Sequence, residues 1–209
     1  MKMKDAIEKA LEDKGKRKFL QSIEMIINFT RVNFSKQDQR LDLAVVLPKG
    51  RGKPVKVAVF ADGQAALDAK KAGADLVIPS EEIPLIATDK KKAIKLAKEY
   101  VFLSEPKLMA LVGKHLGQTL GTRGKLPRPI VGKSIKQAIE EARNTVFLKT
   151  KGKYLPTLQC IVGSEVMSSE DILENANAVL SAILQKLQKQ NIKNILFKLS
   201  MGSPVKAEV

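Results

Sequence analysis

Two hydrophobic rhythms divide the chain. Residues 4–13 place Ala6, Ile7, Ala10 and Leu11 on one helical face, and Lys14-Gly15-Lys16 ends that helix. Ile23, Met25, Ile27 and Phe29 then alternate with Ser22, Glu24 and Asn28. After a polar loop over 30–40, Leu41, Leu43, Val45 and Leu47 alternate again, so two strands are predicted. Strands with one apolar and one wetter face suit an antiparallel sheet covered on one side.

Pro48-Lys49-Gly50-Arg51-Gly52-Lys53-Pro54 interrupts this texture. Beyond it, short runs dense in apolar residues (55–60, 74–78 and 100–103) alternate with helical stretches at 63–72, 88–99 (opening at Thr88) and 106–116. Such alternation implies a small parallel sheet with helices on both faces. Ser134 and Gln137 form a capping box for a further helix, whose stripe is Ile135, Ala138, Ile139 and Ala142. From Thr145 the period of two returns, at 146–149, 158–162 and 195–199. A long helix over 169–190 carries Ile172, Ala176, Val179, Ile183 and Leu187. The fold class expected is therefore α+β with two domains. A discontinuous terminal domain, 1–54 with 146–209, holds an antiparallel-rich sheet with helices. An inserted Rossmann-like α/β domain covers 55–145. Two chain crossings would confine motion between them to hinge bending.

Charge adds a second layer. The 209 residues carry 37 Lys and Arg against 22 Asp and Glu, a net charge of +15. Self-repulsion on that scale calls for an anionic partner, and a phosphate backbone supplies one through counterion release. An anionic membrane surface would suit the charge alone equally well. No apolar run is long enough to span a bilayer, and Met1-Lys2-Met3-Lys4-Asp5-Ala6 lacks a secretory signal's apolar segment. With one cysteine, Cys160, and one histidine, His115, neither an internal disulfide nor a Cys/His zinc site is expected. A cytoplasmic protein without membrane attachment, metal or cofactor is the expectation.

Chemistry is sparse. Asp62-Gly63 follows a strand and opens a helix, yet neither G-x-G-x-x-G nor a Walker A pattern occurs; Gly63 reads as a turn residue and Asp62 as a helix cap. Glu81-Glu82 reads as a solvated loop pair, and Cys160 as core. His115 reads as structural or RNA-facing, with no partner at catalytic spacing. No catalytic residue is assigned. Lys90, Lys91, Lys92, Lys95 and Lys98 share a helix and read as its solvated face. The 49–53 segment fits a phosphate-contacting hinge and a flexible linker equally.

The stretch between Pro106 and Ile139 is sharper. It holds no acidic residue but Lys107, Lys114, Arg123, Lys125, Arg128, Lys133 and Lys136. Within it, residues 121–129 form a loop shaped by two glycines and two prolines, from which Arg123, Lys125 and Arg128 project; forked guanidinium bonds suit phosphate. Ser200-Met201-Gly202 reads, on composition alone, as a strand ending in a turn.

These segments, in order, resemble the ribosomal protein L-one family across essentially the whole chain. Arg17-Lys18-Phe19 with Ser22-Ile23-Glu24 is similar to the family's opening motif, and 47–53 to its LPxGxGK stretch. Ala72-Gly73-Ala74-Asp75 is similar to its AGAD turn, 120–127 to its LGPRGxMP signature, and Ser200-Met201-Gly202 to its terminal TMG. The lysine after Arg123-Gly124 looks archaeal. The resemblance implies a non-enzymatic large-subunit protein at the mobile stalk near the tRNA exit site. Its implied partners are large-subunit rRNA, exit-site tRNA and its own mRNA, which it represses; off the ribosome it is expected to be a monomer. Phe19, Ser22, Glu24, Ser200, Met201 and Gly202 become implied rRNA contacts, with Arg123, Lys125 and Arg128 a secondary RNA surface. Three positions depart from the pattern. Thr122 replaces a proline, which should loosen its loop. Gln21 stands where acids are common, and Val162-Gly163-Ser164 lacks the lysine common after Val-Gly, so no phosphate contact is assigned to Ser164. The rival reading is an enzyme acting on a phosphorylated small molecule through the Rossmann-like domain.

Overall fold

The computed structural model describes residues 1–36, 39–150 and 155–208. It is a mixed α/β structure with three sheets. Contacts group the chain into two compact units, Met1–Lys53 with Asn144–Val209, and Pro54–Arg143.

In the first unit, helix α1 (Met3–Glu12) precedes strands β1 (Ser22–Phe29) and β2 (Asp42–Val46). In the second, β3 (Lys56–Phe60), α2 (Gly63–Lys71), β4 (Leu76–Ile78), α3 (Glu82–Thr88), α4 (Lys90–Glu99), β5 (Tyr100–Ser104), α5 (Met109–Gly121), β6 (Arg128–Pro129) and α6 (Ile135–Asn144) follow. The chain then returns through β7 (Thr145–Lys149), β8 (Thr157–Ser164), α7 (Ser169–Leu184), β9 (Ile192–Leu199) and β10 (Val205–Ala207).

The first unit's main sheet runs β10-β9-β1-β8, all antiparallel, beside a β2-β7 pair. Ile23, Met25 and Ile27 of β1 join Leu158, Cys160, Val162, Ile195, Phe197 and Leu199 in one core with Ala6, Ile7, Ala10, Ile172, Ala176, Val179 and Ile183 of α1 and α7. Period-two strands thus meet period-3.6 helices across one buried layer. The opposite face keeps polar cross-links: Thr157 donates to Asn28 and Asn28 to Asn194, each at 2.8 Å.

The second unit's sheet runs β4-β3-β5-β6, all parallel. Its central strands, β3 and β5, are buried on both faces. Ala58, Phe60 and Phe102 pack with Ile83, Ile86, Ala93, Ala97, Val112, Leu116 and Leu120, while Val57, Val59 and Leu103 pack with Ala69, Ala138, Ile139 and Ala142.

Several sequence expectations change. The helix expected over 88–99 appears as α4, and a further helix, α3, precedes it. α3 takes in Glu82, Thr88 closes it by donating to the Pro84 carbonyl (3.1 Å), and Asp89, not Thr88, caps α4 by accepting from the Lys91 and Lys92 amides (3.0 and 3.1 Å). The helix expected over 106–116 begins with a 3₁₀ turn at Pro106–Leu108 and runs to Gly121. Gly113 and Gly117 cost that helix about 1 kcal/mol each, but Val112, Leu116 and Leu120 bury one face, and each such burial returns about 1.5–3 kcal/mol. α7 stops at Leu184, short of 190: Gln185 and Lys186 donate to Ser181 and Ile183 at 3.2 and 3.0 Å in a turn that still carries Leu187 to the core. Asp62 does not cap α2; its Oδ1 accepts from the Ser80 amide at 2.8 Å. Within the polar 30–40 loop, Phe34 is fully buried and packs edge-on against Phe29 at 5.4 Å.

Candidate nucleic-acid interface

In an antiparallel sheet the start of one strand lies beside the ends of its neighbours. The opening of β1 therefore sits between the ends of β8 and β9: Ser22 faces Ser164, and Ile23 faces Leu199. Ser200, one residue beyond β9, is tied to this corner. Its Oγ accepts from the Ser22 amide (3.2 Å), and its amide donates to the Ser22 carbonyl (3.1 Å). Ser22 is itself buried, so it holds the turn and offers little of its own surface.

Gln21 organises the corner. It is fully buried, yet its side chain accepts from the Met201 amide (3.2 Å) and donates to the Lys14 carbonyl (2.7 Å) and the Glu165 carboxylate (3.1 Å). The Glu165 carboxylate also accepts from the Gln21 amide at 3.1 Å. Sequence reasoning marked Gln21 only as a departure from a pattern; a glutamine directly before an apolar strand was the available signal. The turn closes through the Gly202 amide on the Leu199 carbonyl (3.0 Å) and the Ser203 amide on Asp13 (2.7 Å). A Cβ at position 202 would lie 3.1 Å from both Asp13 Oδ2 and Leu199 Cβ, so glycine lets this turn close.

Apolar surface is displayed around these polar ties. Met201 is 60% exposed and Phe19 51%. Lys14, Lys16, Arg17 and Lys18, all exposed, lead into Phe19. Glu24 lies half-buried on the outer face of β1, between Ile161 and Lys198. The corner thus offers a thioether on backbone fixed by internal hydrogen bonds, with cations and an aromatic ring on the segment that leads into β1.

The 49–53 segment is neither a free linker nor an open phosphate hinge. Asn175, fully buried in α7, accepts from the Lys49 amide (3.0 Å) and donates to the Gly50 and Val162 carbonyls (2.9 and 2.8 Å). Lys49 ion-pairs with Glu174 (3.4 Å) and Asp171 (3.7 Å), and the Glu174 hydrogen bond and charge raise its pKa. Arg51 donates to the Thr145 carbonyl, and burial lowers its pKa. Gly52, at φ +66°, packs where a Cβ would meet Ser164 Oγ at 2.3 Å and Met167 Sδ at 2.5 Å. Ser164, fully buried, donates to the Gly52 carbonyl at 3.1 Å.

In the second unit, the basic loop is shorter than its 121–129 sequence outline. Gly121 ends α5, and Arg128 belongs to β6, opposite Leu103. Thr122 does not loosen the segment: its hydroxyl donates to the Gln118 and Thr119 carbonyls at 3.0 and 3.3 Å. Arg123 is exposed and donates to the Thr119 carbonyl at 3.2 Å. Gly124, at φ +63°, lets the Lys125 amide fold back onto the Leu120 carbonyl at 2.9 Å. Pro127 is buried, so the segment is anchored at both ends.

Cys160 is buried, and desolvation first, then the Glu24 charge, pushes its thiol up to about 12. Among the described residues no cluster of His, Cys, Asp or Glu could hold a metal, and no helix is long and apolar enough to cross a membrane.

Comparison with known proteins identifies the family. The chain is 46% identical over 208 residues to "Large ribosomal subunit protein uL1" of Thermofilum pendens, covering 98% of this chain and 92% of that protein. It is 41% identical over 209 residues to the protein of the same name from Archaeoglobus fulgidus (98% and 96% covered) and 39% over 212 residues to that of Thermococcus kodakarensis (99% and 97%). These archaeal relatives are structural ribosomal proteins, which removes the small-molecule enzyme reading. The family described as "Ribosomal protein L1p/L10e family" matches residues 8–203, from within α1 to just past the Ser200–Gly202 turn, and the chain belongs to it.

Proposed function

We propose that the protein binds large-subunit rRNA through the corner built by Gln21, Ser22 and Ser200-Met201-Gly202, with Phe19 and Glu24 at its margins. The observation carrying this is the fixed turn. Backbone locked by Gln21, Ser22 and Asp13 holds a 60%-exposed methionine outward, an arrangement that adds nothing to the core. Gly202 lets the turn close and so holds Met201 outward, and Phe19 offers a ring on which a base can stack. Arg123, Lys125 and Arg128 form a secondary RNA surface. Cations position the RNA through its phosphates, while the corner reads its shape.

In this reading the first unit is the discontinuous RNA-binding domain and the second an inserted Rossmann-like domain. The protein works in the cytoplasm as a monomer that joins the ribosome, at the mobile stalk near the tRNA exit site. It contacts exit-site tRNA and represses its own mRNA through the same corner. The relatives' names, which place those proteins in the large subunit, support the ribosomal part.

Filter binding to an rRNA stalk fragment and to random RNA tests the site. Replacing Met201 and Gly202 is expected to shrink the preference for the fragment more than replacing Lys91 and Lys92. Equal losses refute the assignment.

A further inference from the structure

Helix α4 carries five lysines against one carboxylate, Glu99, at its last position. Its sequence spends little of that charge on folding. Ala93 and Ala97 bury the inner face, whereas Lys91, Lys92, Lys95 and Lys98 are exposed. Among the described residues none of these four has an ion-pair partner. Lys91, Lys95 and Lys98 stand at i, i+4 and i+7, so they share one stripe and repel one another. Lys90, Lys91 and Lys92 also occupy the first turn, where the helix dipole disfavours cations. Asp89 offsets this only at the cap, by accepting from the Lys91 and Lys92 amides. A merely solvating face would do better with mixed signs along its length; here only Lys95 has a carboxylate at i+4, Glu99, and in the weaker order.

We infer that the Lys91–Lys95–Lys98 stripe of α4 is a docking surface for an RNA phosphate backbone, built from residues other than those of the Met201 corner and the Arg123 loop. Its span fits. Lys91 and Lys98 lie about 10 Å apart along the helix axis, a length over which a nucleic-acid duplex presents several phosphates, one charge per roughly 1.7 Å. The stripe contains no aromatic ring and no hydrogen-bonding side chain other than ammonium groups. It therefore contributes affinity without sequence preference and makes binding salt-dependent. This inference rests on the protein being an RNA binder.

The test compares full-length wild-type protein with the triple variant Lys91→Gln, Lys95→Gln, Lys98→Gln, using the rRNA stalk fragment and a random-sequence RNA of equal length. A charge-matched control replaces the exposed Lys186, Lys189 and Lys193 with Gln. Affinity is measured across a salt series. The α4 variant is expected to flatten the slope of log K against log salt by about 2 to 3, near 0.7–0.9 per lost phosphate contact. The preference for the stalk fragment should stay intact, and the control slope should match wild type. An α4 slope equal to wild type overturns the inference, as does a control that flattens it equally. Wild-type protein that binds neither RNA overturns instead the RNA-binding reading beneath it. Circular dichroism confirms that α4 stays folded, since glutamine is a good helix former.

Discussion

Replacing Gln21 with leucine probes the corner most sharply, because leucine keeps much of the volume and removes only the amide. Three bonds are lost: to the Lys14 carbonyl, to Glu165 and from the Met201 amide. Lys14 is exposed, so water replaces its lost donor at little cost. The bond to the Glu165 carboxylate is charge-assisted and worth about 1.5–3 kcal/mol, and the Met201 amide bond about 0.5–1.5 kcal/mol. The sum is about 2–4 kcal/mol of stability, read as a fall in urea midpoint with unchanged slope. The substitution also frees the Ser200–Met201 turn. Each 1.4 kcal/mol needed to reorder that turn on binding costs about tenfold in affinity. Affinity for the rRNA stalk fragment should therefore fall about tenfold or more, while random-RNA affinity holds. A destabilisation below about 0.5 kcal/mol with an unchanged preference for the stalk fragment refutes the role given to Gln21.

Other substitutions separate backbone strain from packing and burial. Gly52→Ala places a Cβ 2.3 Å from Ser164 Oγ at a positive φ, whereas Gly132→Ala, also at positive φ (+68°), meets nothing. The second should cost about 1–2 kcal/mol in a urea titration and the first clearly more; equal losses contradict the packing assigned to Gly52. Asn175→Ala removes three bonds that pin residues 49, 50 and 162 and should cost about 2–4 kcal/mol in the same assay. Cys160 should resist thiol reagents until the protein unfolds, and prompt labelling of native protein at pH 8 would contradict its burial. Its thiol is held at about 12 when folded, against about 8.5 unfolded. Above pH 8.5 the unfolded state has lost a proton that the folded state keeps. Cys160 should thus lower stability by about 1.4 kcal/mol per pH unit up to about pH 12, a slope component absent from Cys160→Ala.

Periodicity made most elements legible. The alternation of Ile23, Met25 and Ile27 and the stripe of Ile172, Ala176, Val179 and Ile183 appear in the structure as core. The Ser134–Gln137 capping box forms, with reciprocal bonds of 3.3 Å. Punctuation was less legible. The helix expected to end at 116 runs on to Gly121, because Val112, Leu116 and Leu120 bury one face. Thr88 looked like a cap, but the aspartate after it bonds the free amides instead. The candidate corner resisted reading because its parts lie far apart in sequence: Gln21 meets Met201 and Glu165 only once β1 pairs with β8 and β9. Residues 49–53 fitted a hinge and a linker alike, because the buried Asn175 that fixes them sits in an apolar stripe and gave no local signal.

The most direct measurement is the affinity of the purified chain for the large-subunit stalk fragment against a scrambled transcript of equal length, from low to physiological salt. A corner that reads RNA shape should give both affinities a similar salt dependence, yet leave the true fragment bound far more tightly throughout. Equal affinity for the two transcripts at every salt concentration would contradict the account.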